Sequence, residues 1–264
     1  MLALSACASP AARLDNEALS LGMERAMVLG LSFSHVLYRN RPKLPSGTLH
    51  VYLDGDGTPW FRGTWIARDP TPRNPLMLRL MSRDKVPSVY LGRPCYHGQA
   101  GESGCRPNLW TFGRYKGEVV DSMSAALFRV MHQGGFSGLV LIGYSGGGTL
   151  AMLLASRPLP VAALVTLAGN LDPDAWARLH HYRPLTQSMN PAAQPPLATG
   201  ILQLHYVGAK DRNIPPSLIE PEATRQNATV FQVIPGYDHD CCWEQQWVEI
   251  LAQLSSMLAA GDQR

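Results

Sequence analysis

The chain reads as a three-layer α/β domain with a mostly parallel central sheet. Three observations predict it. Short β-rich runs alternate with helical stretches from about residue 34 onward, the rhythm of strands and helices wound into one sheet. Two of the runs, Gly138–Ile142 and Val161–Leu167, are apolar on both faces, as strands inside a parallel sheet are. The length of 264 residues and the apolar share of 45% suit one such domain with a sizeable core.

Taken in order, Ser34–Tyr38 is a candidate strand, and Leu49–Leu53 a second that ends at "DGDG". Leu76–Arg83 reads as helix. Val86–Leu91 reads as a strand ending at "GRPC", weakened at its start by Pro87. From Lys116 to Gln133 the apolar residues Val119, Val120, Met123, Ala126, Leu127, Val130 and Met131 recur at helical spacing, and Gly134 and Gly135 close the run. A helix over Leu150–Ser156 stops at Arg157 and Pro158. Ile201–Val207 and Thr229–Ile234 are further strands, and Trp243–Leu258 is a closing helix. The stretch Leu171–Thr199, rich in Pro, His and Asn, interrupts the rhythm as a short helix plus loop over one end of the sheet. The expected organisation is an N-terminal segment 1–24 and a domain 25–264 with an insertion around 171–199.

Charge excludes some functions. A net charge of +3 without a concentrated basic face argues against nucleic-acid binding, and Arg39–Lys43 reads as a solvated loop. No apolar run approaches the ~18 residues of a membrane span. The start is distinctive: Met1–Pro10 is small and apolar, and Leu4-Ser-Ala-Cys7 resembles a bacterial lipobox. The positive n-region and the full apolar stretch of a signal peptide are missing or truncated. The resemblance implies acylation of Cys7 and attachment to an envelope membrane; the alternative is a cytoplasmic protein with a frayed N-terminus. Cys95 and Cys105 flank the glycine-rich "CYHGQAGESGC" and read as a disulfide-closed loop, as an oxidising compartment allows. Closing a loop of that size stabilises by roughly 2–3 kcal/mol. For Cys241 and Cys242, a vicinal disulfide and two reduced thiols remain open. The cysteine spacings do not match a zinc ribbon.

Ligands of open α/β sheets bind outside the carboxyl ends of the strands. Gly143-Tyr-Ser145-Gly-Gly147 stands there and matches G-x-S-x-G between a buried strand and a helix. A sharp strand-to-helix turn needs small neighbours, exposes the serine hydroxyl and places helix N–H groups behind it. The stretch lacks G-x-G-x-x-G and has no lysine after the glycines, so nucleotide binding is the weaker reading. A serine nucleophile needs a base, and the base an orienting carboxylate. His239 stands five residues past the strand ending at Ile234, and Asp211 four past the strand ending at Val207. The rival histidines are His205 and His180–His181, and Asp172 is the runner-up acid. Oxyanion donors are expected from the N–H of Gly146 and from the loop "LDGDGTPW", at Asp56 or Gly57. Asp54 and Asp56 alone are a weak cation site, and no metal or organic cofactor is expected.

With these residues in hand, the chain resembles the α/β-hydrolase superfamily from roughly Ser34 to the end. Within it, "LDGDGTPW", "GRPCYHG", "GYSGGGTLA", "AGNLD" and "YDHDCCW" resemble a group of small bacterial hydrolases, often lipoproteins. The resemblance implies Ser145 as nucleophile, Asp211 as acid and His239 as base, acting on a small-molecule acyl substrate. "DGDG" departs from the "HGGG" frequent in lipases, and no long apolar lid is visible. The expected activity is hydrolysis of an ester, thioester or amide, with a carboxylic ester foremost. The alternatives are an acyltransferase using the same triad and a non-catalytic envelope binding protein on the same scaffold.

Overall fold

A computed structural model describes residues 8–261. Cys7, the expected lipidation site, lies outside the described residues. The chain runs α1 (Pro10–Ser20), β1 (Glu24–Leu29), β2 (Ser34–Arg39), β3 (Thr48–Leu53), β4 (Trp60–Phe61), β5 (Trp65–Ile66), α2 (Leu76–Met81) and β6 (Ser88–Leu91). It continues with α3 (Gly117–Gly134), β7 (Gly138–Tyr144), α4 (Gly146–Ala155), β8 (Val161–Leu167), α5 (Pro173–Leu179), β9 (Leu202–Gly208), α6 (Pro216–Arg225), β10 (Val230–Ile234) and α7 (Trp243–Gly261). Short 3₁₀ turns stand at Pro107–Trp110 and Pro191–Ala193.

Eight strands form one sheet in the order β1-β2-β6-β3-β7-β8-β9-β10. The pairs β1–β2 and β2–β6 are antiparallel; every pair from β6 to β10 is parallel. β4 and β5 form a separate hairpin. The two-residue period of a strand divides the core in two. Leu139 and Leu141 of β7 pack with α3, α4 and α6 on one face. Val140 and Ile142 pack with α1, α2 and α7 on the other. All four are buried, which is why β7 carries no alternation.

The expected strands all form, β8 with the expected bounds and the others with one or both ends shifted. β6 begins only at Ser88, because Pro87 lacks the N–H that a ladder position needs. β7 runs on to Tyr144 and α4 starts at Gly146, well before Leu150. The glycines "GGG" are poor helix formers, but their burial against β3 and β8 overrides that preference. Helices α1 and α6 and the hairpin β4–β5 are not among the expected elements. α1 is held by the Ser9 side-chain cap and by burial of Leu14 and Ala18. Between α5 and β9 the insertion is mostly irregular. Cys95 and Cys105 are joined, with Cα atoms 5.5 Å apart, and Cys241 is paired with its neighbour Cys242.

Candidate active site

The serine stands at the one-residue turn from β7 into α4. Ser145 has φ 52° and ψ −123°, a left-handed conformation that a side chain rarely adopts. The surroundings fix it: Ser145 N donates to the Leu167 carbonyl at 3.1 Å, and the Ser145 carbonyl accepts from Gly148 N and Asn170 N, both at 2.9 Å. Clearance explains the neighbouring glycines. A Cβ at Gly143 would lie 2.3 Å from the Gly147 carbonyl oxygen, and one at Gly146 would lie 2.0 Å from Asp56 Oδ1. Both distances are far inside van der Waals contact.

The loops after β9 and β10 bring Asp211 and His239 to this turn. Ser145 Oγ lies 3.1 Å from His239 Nε2, and His239 Nδ1 lies 2.8 Å from Asp211 Oδ2. A carboxylate only accepts, so the imidazole carries its proton on Nδ1 and offers a lone pair at Nε2 to the serine hydroxyl. Asp211 is buried, and its Oδ1 accepts from the backbone N–H of Asn213 at 2.9 Å and of Ile214 at 2.7 Å. Its second oxygen is thereby aimed at the ring. Three side chains scattered along the chain form one hydrogen-bonded relay.

Across the serine lies the loop Asp54–Gly57. The backbone N–H groups of Asp56 and Gly57 have no acceptor among the described residues. Gly146 opens α4, where first-turn N–H groups lack intrahelical partners. A Cβ at Gly55 would touch Ser145 Cβ at 3.4 Å, so this loop and the serine are neighbours. The Asp56 carboxylate turns inward. It accepts from Tyr115 Oη at 2.6 Å and from Arg114 Nη1 at 2.7 Å, and it pairs with Arg93 Nη2 at 2.9 Å. Tyr96 Oη holds the Asp56 carbonyl at 3.0 Å. Burial opposes ionisation of Asp56, but Arg114 and Arg93 outweigh it and hold the carboxyl below its usual range. Asp54 goes the other way: burial pushes it up to about 7, against the Gly55 N–H and Arg93.

No protein-family model matches this chain. No curated protein matches it by sequence. Solved structures do. It superposes on proline iminopeptidase from Mycobacterium smegmatis with TM-score 0.66 at 12% identity, over 90% of this chain and 99% of that one. An α-β serine hydrolase homologue from Coxiella burnetii matches with TM-score 0.55 at 16% identity, over 88% and 95%. A puromycin-hydrolyzing peptidase from Mycobacterium tuberculosis matches with TM-score 0.56 at 13% identity, over 91% of this chain but 40% of its own length. The chain has the α/β-hydrolase fold.

Within this α/β-hydrolase fold the rivals Asp172, His205 and His180 have other work. Asp172 caps α5, accepting from Asp174 N, Ala175 N and Asn190 Nδ2. His205 is buried in β9 against Thr166 Oγ1 at 2.8 Å, and desolvation lowers it to about 4. His180 Nε2 bonds the Asn213 carbonyl at 2.7 Å and supports the turn that carries Asp211. Besides Arg93, Arg114 and Tyr115 around Asp56, three residues around His239 escape sequence reasoning. Asn213 Nδ2 stands 3.1 Å from His239 Nε2, and Trp176 Nε1 donates to Asn213 Oδ1 at 3.1 Å, which fixes the amide with its donor toward the ring. Tyr144 packs on the imidazole with ring centroids 5.3 Å apart and donates its hydroxyl to Asp240 at 2.8 Å. Asn213 lies only two residues past Asp211, a spacing that offered a signal; Trp176 sits in the short helix α5 of the insertion and offered none. Beside the relay a cavity of about 570 Å³ is lined by Lys210, Arg212, Asn213, Asp238, His239, Asp240 and Cys241.

Proposed function

We propose that the protein is a serine hydrolase that cleaves an ester, thioester or amide through an acyl-enzyme. The observation that carries this reading is the relay Ser145–His239–Asp211, with 3.1 and 2.8 Å contacts, on a strained turn. His239 takes the Ser145 proton as Oγ attacks the acyl carbon, and Asp211 holds the ring and stabilises the imidazolium. The N–H groups of Gly146 and of Asp56 or Gly57 receive the charge on the carbonyl oxygen, each worth roughly 3–4 kcal/mol in the transition state. His239 then gives its proton to the leaving group. In the second half His239 takes a proton from a water that attacks the acyl-enzyme, then returns that proton to the departing Ser145 Oγ, which frees the serine and the acid. Asn213 Nδ2 shares the single Nε2 lone pair of the neutral imidazole with the Ser145 hydroxyl, both at 3.1 Å, and must yield it as the serine proton transfers.

The fold neighbours include proteins named as peptidases, so amides belong in the substrate set beside the carboxylic esters expected foremost. A fluorophosphonate probe tests the assignment directly. The wild type is expected to be labelled and Ser145→Ala not; equal labelling of both removes Ser145 as nucleophile. A panel of esters of graded chain length, thioesters and amino-acid amides, assayed with and without added alcohol acceptors, then separates the substrate classes and distinguishes hydrolysis from transfer.

A further inference from the structure

The chain does not return to the sheet directly after Gly57. It rises into the β4–β5 hairpin, which pairs Trp60 with Ile66 and Phe61 with Trp65. The base of the hairpin is fastened. Trp110 Nε1 donates to the Ala67 carbonyl at 3.1 Å, Thr58 N donates to the Pro70 carbonyl at 2.9 Å, and Trp60 meets Phe112 edge-on with centroids 5.7 Å apart. The tip is bare. Residues 61–66 are all exposed, with Trp65 at 71%, Phe61 at 47% and Ile66 at 45%. Three large apolar side chains on a protruding tip contribute nothing to a core.

Between Thr58 and Arg73 the charged residues are three arginines and one acid. Arg62, Arg68 and Arg73 are exposed, and none forms an ion pair or a side-chain hydrogen bond among the described residues. Arg62 lies over the Phe61 ring at 5.2 Å. The acid of that segment, Asp69, accepts from the backbone N–H groups of Thr71 and Ala11, at 3.0 and 3.2 Å. Exposed aromatic rings with unpaired guanidinium groups suit the headgroup zone of an anionic bilayer, where rings sit at the polar boundary and cations meet lipid phosphate. That Ala11–Asp69 bond sets the start of α1 beside the base of the hairpin.

We infer that the β4–β5 hairpin is a membrane-docking element for an anionic lipid surface. Phe61, Trp65 and Ile66 enter the headgroup zone, and Arg62, Arg68 and Arg73 pair with phosphate. None of these residues belongs to the Ser145 relay, so the inference stands apart from the proposed activity. The hairpin leaves directly from the Asp54–Gly57 loop, so a docked molecule holds the Ser145 end of its sheet close to the bilayer.

The test is vesicle flotation of the full chain carrying Cys7→Ser, so that no acyl group contributes. One set of vesicles contains equal parts phosphatidylglycerol and phosphatidylcholine, the other phosphatidylcholine alone. The expected result is partitioning onto the anionic vesicles at least about tenfold above the neutral ones, weakening with salt. Trp65→Ser with Ile66→Ser is expected to abolish it, and Arg62→Gln with Arg68→Gln to lower it by roughly fivefold per cation. Both variants keep the parent melting transition, because the substituted side chains are exposed. The inference is overturned if the parent binds neither vesicle, or if the apolar double variant binds as the parent does. It is also overturned if the tip instead mediates self-association, seen as a dimer in sedimentation that Trp65→Ser dissolves without any vesicle binding.

Discussion

Ser145 stands between two carboxylates that differ in everything but residue type. Asp211, on one side, touches a single imidazole and two backbone N–H groups. Asp56, on the other, is clamped by two guanidinium groups and a phenol. The first network contains a group that can gain and lose a proton, and the hydroxyl it serves is one hydrogen bond away. The second contains two arginines that stay charged and a tyrosine whose ionisation burial pushes far up. It moves no proton at neutral pH and instead fixes backbone: its carboxylate rests against Gly146 while its own main chain borders the serine. One carboxylate serves the chemistry of a proton, the other the position of peptide groups. Their neighbours, rather than their charge, decide which.

Substitutions on the two sides should therefore fail differently. The largest effect is expected on the proton side. His239→Ala should lower kcat by about 10⁴–10⁶-fold and Asp211→Asn by about 10⁴-fold, with the melting transition little changed. Steady-state kinetics on any ester accepted by the wild type checks this. On the positional side stability should fall as well. Asp56→Ala leaves two buried guanidinium groups unpaired and should cost about 3–5 kcal/mol, read by denaturant unfolding. Gly146→Ala drives a methyl group into the clamped carboxylate and should cut kcat by about 10²–10³-fold with KM nearly unchanged, as loss of one oxyanion donor does. If Asp56→Ala unfolds no more easily than the wild type, the contrast drawn between the two sides is wrong.

A pH titration of stability sharpens the same contrast. Burial lowers His35, His97 and His205 to about 4 in the folded protein. Their contribution is present above the ordinary histidine value of 6.5 and is lost as pH falls toward about 4, at up to roughly 1.4 kcal/mol per pH unit for each group. Asp54, raised to about 7, acts with the opposite sign. Its contribution is full below the ordinary value of 3.8 and is lost as pH rises through about 7. Asp54→Asn should thus stabilise the protein at pH values above about 7 relative to the parent and make its loss of stability in acid steeper. Thermal melts across that range read both signs. The smallest effect is expected at Asn213: Asn213→Ala removes one neutral hydrogen bond to His239 and should change kcat by no more than about tenfold.

Much of the fold was legible because it rests on local patterns. Doubly apolar runs mark buried strands, and the 3.6-residue period of α3 is plain. Patterns failed where tertiary contact overrides propensity. The start of α4 is three glycines that burial forces into helix, and α6 contains Pro221 yet completes its turns. The hairpin β4–β5 is too short for any period. At the site, Ser145, Asp211 and His239 were legible from their places after strands, and the structure brings them together. The roles of Arg93, Arg114 and Tyr115 were not legible, since nothing in "GRPC" or "GRYK" tells which carboxylate they will meet.

The sequence by itself determined the layered α/β class, the order of its strands along the chain, and the residues at the strand ends. Those follow from side-chain chemistry repeated at short range. Only the tertiary structure decided which groups share a hydrogen bond: the lone pair of His239 facing Ser145, the two guanidinium groups on Asp56, and the Asp69 carboxylate at the start of the N-terminal helix. Such pairings join positions up to 94 residues apart, as Ser145 and His239 are. They are fixed by how the sheet twists and packs, and no local period encodes that.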